Sequence, residues 1–338
     1  MRNYIIWPIL AFLSFFTPAF TARSIVGPGI PRPSKFVEID YSTIDTYARN
    51  APESAAKNLT TLSDYLTSPA RTDLAKARSV YAWITSHIRY DESAFSGRRY
   101  SSEIDYANRT LRNRRAVCTG FALLFKHILG RTGIPVVTIK GYSRTNDSDA
   151  GQPIAQIDHE WNAVQLDGDW YLLDIAWAQT TAKVGTDGQL HPNDFFFLTE
   201  PLPFAANHFP LDQRWQLLSP SITKAQFDHF PKLYDTYFRL GFDPDFPKNG
   251  LIRSGNTLTL SFRNDQDIEF MCSIGRQGGS TATDVLFTTK RLGNTYQLSI
   301  PVSQQGNLTL YVFAKPKGAR TERVKSFEGI AAFTIVKR

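Results

Sequence analysis

The chain holds 338 residues, 42% of them hydrophobic and 13% aromatic, with 24 Phe, 14 Tyr and 6 Trp. That composition excludes a disordered chain and provides for one to three domains with real cores. Lys and Arg number 38 against 31 Asp and Glu, a formal charge of +7, and only two cysteines, Cys118 and Cys272, are present, which excludes a disulfide framework.

The basic side chains are scattered, apart from Arg112-Asn113-Arg114-Arg115. No nucleic-acid motif accompanies them, so no nucleic-acid partner is expected. A mildly basic solvated surface suits anionic neighbours such as a cell-envelope component.

In chain order, Met1-Arg2-Asn3 gives a positive start, Tyr4 to Phe16 an apolar run, and small residues follow around Thr17-Pro18-Ala19 and Thr21-Ala22. The pattern predicts a signal peptide over residues 1–22 and a secreted or periplasmic protein. The apolar run is shorter than the ~20 residues a spanning helix needs, so no integral membrane span is expected after signal removal. Residues 23–35, rich in Pro and Gly, read as a linker.

A helical lead-in follows. Ile44, Tyr47 and Ala48 share one face, and Leu59, Leu62, Tyr65 and Leu66 another. From Asp73 to Ile88, the residues Leu74, Ala77, Val80, Tyr81 and Ile84 recur at spacings of three and four. Ile88-Arg89-Tyr90-Asp91 is an extended exit. Cys118 to Leu129 predicts a further helix with Phe121, Leu124, Phe125 and Ile128 on one side and Gly130 and Gly133 as a stop. Val136 to Tyr142 reads as a strand. Glu160 to Leu166 and Trp170 to Ile175, joined by Asp167-Gly168-Asp169, read as a hairpin. Past Asp243 to Gly250, strand patterns recur at Thr257–Phe262, Ile268–Ile274, Val285–Thr289, Tyr296–Ile300, Leu308–Phe313 and Ala331–Val336. Their spacing predicts a β-sandwich over residues 250–338.

Three groups carry chemistry: the thiol of Cys118, the imidazole of His159 and the carboxylate of Asp174. Cys118 opens a helix, where unpaired amides and the positive end of the helix dipole favour a thiolate and could hold an oxyanion. His159 begins one hairpin strand and Asp174 closes the other, so the two can face each other. An imidazole that takes the thiol proton, oriented by an acid, is the arrangement nucleophilic cysteine chemistry needs. Cys272, in an alternating strand, reads as a small buried apolar residue. His127 falls on the wrong side of its helix; His87, His191, His208 and His229 cap, pack or face solvent, with the role of His208 open. No zinc spacing, calcium loop or phosphate-cradling glycine loop is present, so neither metal nor cofactor is expected.

The stretches Cys118-Thr-Gly-Phe-Ala, His159-Glu-Trp-Asn-Ala-Val and Trp170-Tyr-Leu-Leu-Asp174-Ile-Ala-Trp resemble the transglutaminase-like superfamily of papain-type cysteine enzymes. More closely, they are similar to its branch containing the kyphoscoliosis peptidase. Flanking matches are Ile44 to Ala48, Lys76 to Ile84 and Ile88 to Asp91 upstream, with Asp194 to Leu198, His208-Phe209-Pro210 and Trp215 to Leu218 downstream.

The resemblance implies an α+β fold: a papain-like transglutaminase core over residues 36–240, its Cys-bearing helix against an antiparallel sheet, followed by an immunoglobulin-like sandwich. It assigns Cys118 as nucleophile, His159 as base and Asp174 as orienting acid. Ala176 departs from the Thr that many relatives carry there. The expected activity is acyl transfer from amide bonds of a protein or peptide substrate, by a peptidase or amidohydrolase ahead of an amine-accepting cross-linker. The alternative is a non-catalytic binding or scaffold protein with the same fold.

Overall fold

The computed structural model describes residues 32–37, 39–95, 101–185, 188, 190–318 and 327–338. The expected signal peptide and most of the linker lie outside the described residues. The architecture is α+β, a helix-and-sheet unit followed by an all-β unit, as expected.

Five helices come first: α1 (Ser42–Arg49), α2 (Leu59–Thr67), α3 (Asp73–His87), α4 (Glu103–Asn113) and α5 (Cys118–Leu129). Side chains that prefer to accept amide protons set three of the starts. Asn58, Thr72 and Ser102 accept from the N–H groups of Thr61, Ala75 and Asp105. Within α3 every residue from Ala77 to Thr85 is buried. One of them is Arg78, whose guanidinium grips both oxygens of Asp45 at 2.7 and 2.6 Å and reaches Asp194 at 2.8 Å. Such a fork-to-carboxylate pair ties α1, α3 and the segment behind the site in fixed register.

The sheet of this unit consists of β1 (Val136–Ser143), β2 (His159–Leu166), β3 (Asp169–Leu173), β4 (Phe197–Thr199) and β5 (His208–Pro210). It is antiparallel throughout, in the order β4-β3-β2-β1-β5. Helix α6 (Ile175–Thr180) follows β3 directly. Two glycines permit close approach. A Cβ at Gly120 would collide with Ala116 and lie 2.6 Å from the Thr110 hydroxyl, so α4 and α5 pack tightly at the head of α5. A Cβ at Gly141 would strike the Phe209 backbone and lie 2.5 Å from Trp161, so the glycine lets β5 close on β1 at this position.

The second unit is a sandwich. One sheet holds β6 (Lys232–Leu233), β7 (Leu251–Arg253), β9 (Ile268–Arg276), β10 (Ala282–Asp284), β13 (Gly306–Pro316) and β14 (Glu328–Lys337); the other holds β8 (Thr257–Arg263), β11 (Thr288–Leu292) and β12 (Thr295–Pro301). Alternation builds its core: Leu258, Leu260 and Phe262 from β8 and Tyr296, Leu298 and Ile300 from β12 meet Cys272, Leu310, Val312 and Phe333. The single strand expected over 285–289 is instead two pieces. Ala282–Asp284 pairs with β9 and Thr288–Leu292 with β12, so Val285–Phe287 carries the chain from one sheet to the other. β14 is shared between units: it pairs with β6, Lys232 opposite Ala332, and with β7. No helix among the described residues is long and apolar enough to cross a membrane.

Candidate active site

Cys118, His159 and Asp174 come together where the head of α5 meets the β2–β3 hairpin. They are nearly closed off, at 7%, 5% and 0% exposure. Cys118 is the first residue of α5, after the extended Val117, and no side chain caps the helix there. His159 is the first residue of β2. Asp174 sits one residue past β3, as the N-cap of α6, where its Oδ1 accepts the Trp177 N–H at 3.0 Å.

The residues around His159 hold these elements together. Glu160 hydrogen-bonds to the Thr119 side chain and lies 3.5 Å from the Lys140 ammonium. Asn162 Nδ2 donates to the Ala122 carbonyl of α5 at 3.1 Å and to Val137 at 3.3 Å. The run His-Glu-Trp-Asn thus supplies an imidazole, a clamp on the helix head, a wall and a second clamp. Trp161 and Trp177 flank the His159 ring at centroid distances of 5.9 and 5.4 Å.

His159 Nε2 donates to Asp174 Oδ2 at 2.7 Å. The proton is assigned to Nε2 because an ionised carboxylate can only accept. Nδ1 is then left for Cys118, whose thiol is a hydrogen-bond partner of this ring. Burial disfavours charge on His159, but the Asp174 carboxylate and the Cys118 sulfur more than offset it and raise the ring to about 10. Asp174, also buried, is held well below the usual carboxylate range by the two imidazoles it serves.

Two further residues belong to the site. His208, on β5, places Nε2 2.9 Å from the same Asp174 Oδ2. Tyr90 lies against Cys118, its phenol oxygen accepting the Cys118 amide proton; burial first, then the charge of the sulfur, push it up to about 12. Nothing in periodicity marks either residue. Both fall in stretches that carried the family resemblance, Ile88 to Asp91 and His208-Phe-Pro, and that was the one available signal.

His159, Asp174 and His208 are the only cluster of metal-capable side chains among the described residues, with ligand atoms within 4.8 Å of one another. Both imidazoles already spend Nε2 on one carboxylate oxygen, so hydrogen bonds close the cluster. Behind it, Lys232 is buried with its ammonium 4.7 Å from the Trp177 ring centre and bonded to the Arg144 carbonyl; burial brings it down to about 8. No triad residue lines the cavity of about 740 Å³ bounded by Tyr41, Tyr47 and Leu74, or that of about 470 Å³ bounded by Ile222, Phe230 and Lys248.

Residues 60–175 match the sequence model of the Transglutaminase-like superfamily, and residues 224–338 that of the KY-like, immunoglobulin-like domain. The chain is 29% identical over 287 residues to Kyphoscoliosis peptidase of Mus musculus, covering 83% of this chain and 42% of that one. The Homo sapiens protein is 29% identical over 280 residues, covering 81% and 40%. Hillarin of Drosophila melanogaster is 27% identical over 235 residues, covering 63% and 28%. The chain spans about two fifths of the length of the two peptidases.

Proposed function

We infer that this chain, which carries a transglutaminase-like domain of the papain-like cysteine enzyme superfamily followed by a KY-like immunoglobulin-like domain, is a cysteine-nucleophile enzyme acting on amide bonds of proteins or peptides. One observation carries the reading: a continuous line from the Cys118 thiol through His159 to Asp174, with Nδ1 of the imidazole left for the sulfur.

The steps follow from the atoms. His159 Nδ1 takes the proton of Cys118, and the sulfur attacks the amide carbonyl. The carbonyl oxygen gains the charge. The Tyr90 hydroxyl, which lies against Cys118 and keeps its proton, supplies a donor for it. The carbon–nitrogen bond then breaks, the departing amine takes the proton from His159, and a thioester remains. Water added to the thioester releases an acid and regenerates the thiol; an amine added instead gives a cross-link. The peptidase name of the relatives favours water. Secretion or residence in a periplasm, with a protein or envelope-linked peptide as substrate, fits the N-terminal sequence and the basic surface.

The test is iodoacetamide labelling of purified protein across pH 5 to 9, read by mass spectrometry, beside His159→Ala. Labelling of Cys118 that is rapid at low pH and slowed in the variant is expected. Labelling only at high pH, indifferent to His159, refutes the reading. It would leave the non-catalytic scaffold, which the near closure of Cys118 favours. An intact mass that retains residues 1–22 after expression in an exporting host refutes the export assignment.

A further inference from the structure

His208 is a buried titratable group that the acyl-transfer steps above leave unused. Its exposure is 2%, and it stands on a three-residue strand that β1 holds by pairing Ser143 with His208. Its ring is stacked on Phe204 at 4.1 Å and flanked by Trp177 at 4.4 Å and Trp161 at 5.1 Å. Three features fix it in one orientation: these rings, the strand pairing and Asp174 Oδ2 at 2.9 Å from Nε2, while the Phe204 carbonyl lies 3.2 Å from Nδ1. A histidine that merely filled space would not aim a nitrogen at the oxygen the catalytic imidazole already uses.

We propose that His208 is a positioning residue of the site, a second donor on Asp174 that fixes the carboxylate and limits how strongly it holds the proton of His159. The inference rests on the catalytic reading above and concerns how that site is tuned. Oδ2 accepts from His159 at 2.7 Å and from His208 at 2.9 Å, so its negative charge is divided between two N–H groups. A carboxylate serving one imidazole alone would bind that imidazolium more tightly and make it a poorer proton donor to the leaving amine. The other groups facing this network are few. Asp174 comes from the head of α6, Cys118 from the head of α5 with Tyr90 against it, and Lys232 from β6, screened by the Trp177 ring. Glu160 turns to Thr119 and Lys140. His208 is therefore the only donor other than His159 whose side chain reaches Oδ2 among the described residues.

Burial and the charge of His159 hold His208 itself below the ordinary histidine value, so at neutral pH it acts as a neutral donor through Nε2. On acidification the ring can accept a second proton at Nδ1 without losing Asp174, because the Phe204 carbonyl faces that nitrogen.

The experiment is ring-nitrogen NMR of the full chain with ¹⁵N-labelled histidine, titrated from pH 4 to 11, in wild type, His208→Phe and His208→Gln. His159→Ala supplies the assignment. In wild type at pH 7, Nε2 of His208 should carry the proton. In His208→Phe, which keeps the aromatic packing and removes the donor, the His159 midpoint should rise by about one unit, a tenfold change in its acid dissociation. His208→Gln, which retains an N–H, should return the midpoint toward wild type. An unchanged or lowered His159 midpoint in His208→Phe overturns the proposal; so does a bare Nε2 on His208 in wild type, which needs no variant to fold. A purely structural role would lower the melting temperature and leave the His159 titration in place. Iodoacetamide labelling of the same samples reports separately on the catalytic reading, so either can fail without the other.

Discussion

Replacing Asp174 by Asn tests the electrostatic core of the site through stability, with no substrate required. The amide keeps the size of the carboxylate and can retain the cap on Trp177 through Oδ1. It cannot accept from two imidazoles as a charged oxygen does. In wild type the folded His159 titrates at about 10 against an ordinary value of 6.5. The folded value is the higher one. Its contribution is therefore fully present below pH 6.5 and is lost as pH rises toward 10. At about 1.4 kcal/mol per pH unit, the advantage of wild type over Asp174→Asn should shrink by roughly 3–5 kcal/mol across that window. Asp174 is shifted the other way, so the same interaction is also lost on strong acidification, below the ordinary carboxylate range. The assay is urea unfolding at half-unit steps from pH 5 to 10, both proteins side by side, so that Lys and Tyr titrations common to both cancel. Parallel stability curves between pH 6.5 and 10 would refute the argument, because they would mean that His159 gains no proton affinity from Asp174.

Other changes probe the supports. Arg78→Met removes the cation from two carboxylates, one of them 7% exposed, and should cost about 3–5 kcal/mol by thermal or urea unfolding; adding Asp45→Leu should recover part of that loss. Gly120→Ala forces a methyl between α4 and α5 at the head that carries the thiol. It should cost about 1–3 kcal/mol in urea unfolding and alter the iodoacetamide rate of Cys118, whereas Gly130→Ala, with open space around it, should do neither. Asn162→Leu leaves the α5 and β1 carbonyls without their donor and should cost about 1–3 kcal/mol, measured the same way.

What could be read from the sequence was local. The three-and-four spacing around Cys118 and the alternation through 160–175 each concern neighbours a few residues apart. Helix, hairpin and the side chains they carry could therefore be placed before any tertiary contact was known. His208 is different. It reaches Asp174 across 34 residues from a strand of three, too short to show a period. Tyr90 likewise enters the site from a two-residue strand, Arg89–Tyr90, paired in parallel with Arg115–Ala116. The break at Val285–Phe287 was hidden because an apolar run reads alike whether it stays in one sheet or crosses to another. Lys232 gave no sign of pairing with a strand a hundred residues further on, since nothing in Lys232-Leu233 specifies the partner.

That last pairing has a consequence for how the protein is made. β6 lies beside Trp177, yet its hydrogen-bonding neighbour is residues 331–332 of β14. A ribosome adding ~5–20 residues per second reaches β14 roughly 5–20 seconds after β6 has been translated. Through that interval the nascent chain already contains Cys118, His159 and Asp174, while the wall behind Trp177 has no strand to rest on. Translation order thus leaves β6 without its strand partner until the immunoglobulin-like unit has been made.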